Sequence, residues 1–127
     1  MRRSMVWLGA AMLSTLMVGT GAHAMPVATF LTKAEALKKK GPLALFSGDL
    51  KLLTKQIKSD AASLRSERLA AKAAGRPTTF CPPEGGAKLT DKDILVAMQA
   101  VPAASRGSTD TRAALRAFMA RRYPCRA

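Results

Sequence analysis

The first 24 residues constrain this chain more than any other feature, because they decide where the rest of it folds. Arg2 and Arg3 give a positive start, and Val6 to Val18 form an apolar run interrupted only by Ser14 and Thr15. Gly19, Gly21 and the triplet Ala22-His23-Ala24 then supply the small residues that an export peptidase requires. A membrane anchor in the same place needs about 20 apolar residues to span a bilayer, and this run is shorter. The segment 1–24 therefore reads as a secretory signal cleaved near Ala24, and 25–127 as a single periplasmic domain. No cysteine follows the cleavage site, which argues against lipid attachment there.

Cleavage changes the composition that bears on chemistry. Removing 24 of 127 residues leaves 103, and the formal charge falls from +13 to +11 with the loss of Arg2 and Arg3. His23 is the only histidine and leaves with the leader. Cys81 and Cys125 stay, and a pair of cysteines beyond the membrane is expected to oxidise to a disulfide. They stand 44 positions apart, and closing such a loop stabilises by roughly 4 kcal/mol on the chain-entropy model. Neither belongs to a C-x-x-C pair, so a redox centre is not indicated, and two thiols without histidine cannot complete an ordinary zinc site.

Helical spacing recurs through the remainder. Phe30, Ala34 and Leu37 predict a first helix over about Thr29–Lys40, with Thr32 and Glu35 at capping-box spacing and Gly41-Pro42 as its stop. A long helix is predicted over Gly48–Ala74, capped by Ser47 and with Asp49 in its first turn. Its apolar stripe is Leu50, Leu53, Ile57, Ala61 and Leu64, and beyond Leu64 the pattern thins into alanines and charges. The segment from Arg76 to Leu89 carries Cys81-Pro82-Pro83 and Gly85-Gly86 and reads as a loop. A third helix follows Thr90, with Ile94, Leu95, Met98 and Val101 as its apolar face and Pro102 closing it. A fourth is predicted over Thr109–Arg122, with Leu115, Phe118 and Met119 inward. No stretch alternates with a period of two, so the expected fold is all-α: a small bundle of about four helices, with the disulfide closing the last two. So few large apolar residues make a staple useful in a domain of this size.

Catalytic chemistry is hard to find. General acid–base catalysis relies on histidine or on paired carboxylates, and the acids here are scattered. Asp91 and Asp93 stand two apart at a helix start, where complementing the helix dipole accounts for them. There is no nucleophile elbow, no phosphate-binding glycine loop after a strand, and no calcium-loop spacing. The chain is expected not to be an enzyme and to need no cofactor or metal.

The charge pattern is more informative. Lys51, Lys58, Arg65 and Lys72 recur every seven residues, with Lys55 between them, so at about 100° per residue they share one flank of the long helix. Such a flank serves either as a solvated face or as an electrostatic footprint for an acidic partner. Phosphate contacts alone would let a domain of this charge bind nucleic acid. An exported chain without stacking aromatics does not suit specific nucleic-acid recognition. An acidic protein, or the anionic surface of the envelope, is the better partner.

The stretch Phe80 to Cys125 resembles the Tai/Rap family, the periplasmic immunity proteins of type VI secretion amidase effectors. The matching features are Phe80-Cys81-x-Pro83, then Leu89-Thr90 opening a helix, Pro102 closing it, and a last helix running into Tyr123-Pro124-Cys125. The resemblance implies a small secreted helical protein, often a homodimer, that binds a peptidoglycan-cleaving amidase and blocks it. It also implies pairing of Cys81 with Cys125. The N-terminal half differs from the family's pattern, which has further cysteines and a glycine-bearing helix motif there, so no inhibitory surface is carried over. The functional expectation is thus an immunity-type binding protein. The alternative is an envelope-associated module whose basic helix face, Lys51, Lys55, Lys58, Arg65 and Lys72, contacts anionic lipid or cell-wall polymer.

Overall fold

Four α-helices organise the computed structural model, which describes residues 24–126: α1 Val27–Lys40, α2 Gly48–Ala73, α3 Asp91–Gln99 and α4 Thr111–Arg122. Two short 3-10 turns, Gly41–Phe46 and Ala103–Ser105, join them. Among the described residues there is no strand, only an isolated antiparallel bridge between Pro26 and Asp110. The expected all-α bundle is therefore the observed architecture. The leader expected over 1–24 lies, but for Ala24, outside the described residues.

α1 begins two residues before its expected start, and the reason is tertiary. The Thr111 N–H donates to the Met25 carbonyl at 2.9 Å, Val27 N–H to Thr109 at 2.8 Å and Ala28 N–H to Arg106 at 3.0 Å. Backbone from the approach to α4 thus satisfies amides that a capping side chain would otherwise serve. Pro26 stands at the N-cap with no side-chain bond. The expected Thr32–Glu35 capping box does not form: Thr32 lies inside the helix and its hydroxyl donates to the Ala28 carbonyl at 2.9 Å. Val27 and Phe30 are buried, with Leu31, Ala34 and Leu37 packed against them. Gly41 ends the helix at φ +57°, a conformation that L side chains rarely adopt.

α2 is capped as its sequence predicts, the Ser47 hydroxyl accepting from Asp49 N–H at 3.3 Å. It continues past the thinning pattern to Ala73 and ends in a Schellman arrangement. Gly75, at φ +66°, donates to the Lys72 carbonyl and Arg76 donates to that of Ala71. Its buried residues are Leu53, Asp60 and Leu64, with Ile57 partly buried. The predicted stripe is corrected at two places: Leu50 is half-buried outside the core, and Ala61 is exposed while Asp60 points inward. Positions 53, 57, 60 and 64 also share a face at 3.6 residues per turn, and α4 sets the choice by offering a hydroxyl partner there.

Thr90 and Asp93 form a reciprocal capping box at the start of α3. Ile94, Ala97 and Met98 are buried, whereas Leu95, expected on the inner face, is 38% exposed. At the other end the Arg106 guanidinium donates to the carbonyls of Val101 (2.9 Å) and Gln99 (3.0 Å), serving groups the helix leaves unpaired. α4 starts at Thr111, not Thr109, because Asp110 takes the N-cap and accepts from Ala113 N–H at 2.7 Å.

α1 and α4 each pack on the other three helices, while α2 and α3 do not meet. The core runs between these layers from Val27 to Met119, and the loop after α2 adds Phe80. Cys81 and Cys125 are bonded, with their Cα atoms 5.0 Å apart. The disulfide therefore joins the loop before α3 to the segment after α4, as expected.

Candidate functional site

Lys51, Lys55, Lys58, Arg65 and Lys72 all stand on the exposed side of α2. None of the five lies within ion-pairing distance of a described carboxylate. Elsewhere on the helix Glu67 lies 2.9 Å from Arg116 and 3.9 Å from Arg112, which ties the later turns of α2 to α4. The flank is thus a cationic strip that no described carboxylate neutralises. Leu50 and Thr54 join Lys51, Lys55 and Lys58 around a shallow groove at its start.

Immediately before α2 the 3-10 turn Gly41–Phe46 holds the most exposed large apolar side chains among the described residues. Leu43 is 71% exposed, Leu45 72% and Phe46 86%. Sequence reading assigned these residues no role. The available signal was an apolar run, Pro42-Leu43-Ala44-Leu45-Phe46, held between a helix stop and a helix cap and belonging to neither helical stripe.

A second concavity, of about 340 Å³, lies between α2 and the Pro/Gly-rich loop. Core side chains Leu64, Phe80, Leu115 and Met119 form its floor, and Arg65, Arg68 and Glu84 lie on its lining. The Arg68 Nε is buried there without a hydrogen-bond partner. Glu84 is the one acid on its lining.

Asp60 is the buried acid, only 4% exposed. It accepts from the Thr111 hydroxyl at 2.6 Å and from the Gln56 amide at 3.0 Å. Thr111 itself is fully buried. These bonds meet the requirement that a buried carboxylate be hydrogen-bonded, and they join α2 to α4. Asp93 is the acid whose titration is displaced. The Thr90 N–H and hydroxyl, and then the Arg122 guanidinium at 3.1 Å, hold its carboxyl below the usual range, against an opposing push from burial. Both acids serve helix ends and helix contacts. Among the described residues no group of three or more histidine, cysteine or carboxylate side chains could hold a metal ion.

Most residues of the C-terminal motif converge on the disulfide. Phe80 is buried in the core, Cys81 N–H donates to the Tyr123 carbonyl at 2.8 Å, and Pro124 leads to Cys125. The Thr78 hydroxyl lies 3.4 and 3.3 Å from the two sulfurs. Arg122 stands over the rings of Phe118 and Tyr123, 5.9 Å from each centroid. Pro83 is exposed in the loop, and Pro102 has the separate task of ending α3. No helix among the described residues is long and apolar enough to cross a membrane. No family model, curated protein or solved structure matches the chain.

Proposed function

We propose that this chain is an exported, non-enzymatic binding protein that docks on an acidic partner through the cationic flank of α2. The observation that carries this reading is the row Lys51, Lys55, Lys58, Arg65 and Lys72, exposed and without a carboxylate partner among the described residues. A rigid helix holds these charges in register, so an anionic surface meets them together and at little conformational cost. The test is charge reversal. Lys51→Glu, Lys58→Glu, Arg65→Glu and Lys72→Glu combined are expected to abolish binding to an acidic polymer such as soluble polyglutamate. The unaltered protein should bind and release it as salt rises. Salt-independent binding, or an unaffected variant, would refute the reading.

A second reading, immunity against a peptidoglycan amidase, has one observation in its favour. The two ends of the motif, Phe80-Cys81 and Tyr123-Pro124-Cys125, meet at a single disulfide-stapled corner. It predicts stoichiometric inhibition of an amidase encoded beside this chain, and fails if that amidase keeps full activity in its presence.

A further inference from the structure

We infer that the acidic partner is an anionic lipid membrane and that the turn Gly41–Phe46 is the element that enters it. This rests on the cationic docking surface proposed above and adds an apolar component to it.

The first observation is how the chain distributes its aromatic residues. It has four phenylalanines, and Phe30, Phe80 and Phe118 are buried while Phe46 is 86% exposed. Leu43 and Leu45 are exposed nearly as far. A single exposed leucine is ordinary, but three large apolar side chains within four residues mark an interaction site. The second observation is the turn's inverted amphipathicity. Among Leu43, Ala44, Leu45 and Phe46 the smallest, Ala44, is the one partly buried, and the large ones face solvent. At three residues per turn Leu43 and Phe46 line up along one side, with Leu45 beside them. Gly41, at φ +57°, gives the chain its change of direction out of α1.

The third observation selects the occupant. Lys38, Lys39 and Lys40 end α1 just before the turn, and Lys51 and Lys55 follow it within the first two turns of α2. The nearest acid in the chain, Asp49, is taken up by Lys33 at 2.9 Å. A second copy of the chain would bring two such lysine groups together, which is repulsive. Three side chains also fall well short of the roughly 800 Å² per partner of a stable protein interface. An anionic bilayer accepts this arrangement: apolar side chains reach the acyl boundary while the lysines stay among the headgroups.

The experiment uses the processed chain from Met25, which retains the whole core, since that runs from Val27 to Met119. The one tryptophan of the sequence, Trp7, lies in the leader, so Phe46→Trp introduces a single reporter. With vesicles of phosphatidylcholine plus phosphatidylglycerol, its emission is expected to move to the blue and become shielded from acrylamide. Pure phosphatidylcholine vesicles should leave it unchanged. Leu43→Ser with Phe46→Ser should weaken vesicle binding about tenfold or more, because two apolar contacts are lost, with an unchanged melting temperature and unchanged polyglutamate binding. A bound protein whose introduced indole stays open to acrylamide would overturn the inference, as would a double serine variant that binds vesicles normally. Binding to polyglutamate but to no vesicle would overturn it while leaving the proposed function standing, and binding to neither would overturn both. Self-association of the unaltered chain that the double serine variant abolishes would assign the turn to a second copy instead.

Discussion

Asp60 and Thr111 are 51 positions apart in sequence, and their 2.6 Å contact is the buried polar link between α2 and α4. Removing Asp60 takes that partner from a fully buried hydroxyl, and removing Thr111 leaves the Asp60 carboxylate with the Gln56 amide alone, and either loss costs more than a surface hydrogen bond returns. Asp60→Ala is therefore expected to destabilise by about 1–3 kcal/mol and to lower the melting temperature of a domain of this size by roughly 4 °C or more. Calorimetry on Asp60→Ala and on Thr111→Val separately, and then on the two combined, measures the coupling. Strictly additive losses would mean that the two groups do not act as a pair. From sequence alone Asp60 was one of eight scattered acids. Its place between Ile57 and Leu64 admits two stripes, one through Asp60 and one through Ala61. Only the arrival of Thr111 favours the polar one.

At the scale of elements, local chemistry settled most helix ends. Ser47, Thr90 and the glycines at 41 and 75 act where the sequence puts them, because caps and left-handed turns depend on neighbours within a few residues. The start of α1 is the exception, since carbonyls of Arg106 and Thr109 replace a side-chain cap. The α3 capping box predicts a pH dependence. Asp93 is held below its ordinary value, so its stabilising effect is present above the usual carboxylate range and is lost as pH falls through the lower, folded-state value. Thr90→Ala is expected to cost about 1 kcal/mol at neutral pH and to flatten the acid limb of the stability curve. A parent and variant that lose stability in parallel below pH 4 would contradict the assignment.

Over the whole molecule the disulfide matters most, since a core with few large side chains must hold four helices and a long Pro/Gly-rich loop. Cys125→Ser is expected to lower stability by about 4 kcal/mol and the melting temperature with it, as read from reversible unfolding of the purified protein. Free thiols in the native protein, or an unchanged transition, would refute the staple. Composition, helical periodicity and the two cysteines by themselves determined the all-α class, the four helices and the bonded pair, because helices follow from near neighbours and two cysteines admit one intramolecular pairing. Tertiary structure decided which face of α2 turns inward and that Leu95 stays outside. It also decided that Leu43, Leu45 and Phe46 are left in solvent beside a row of lysines. An apolar residue in the sequence reads as a core candidate, and whether a neighbour arrives to cover it depends on how the other helices pack.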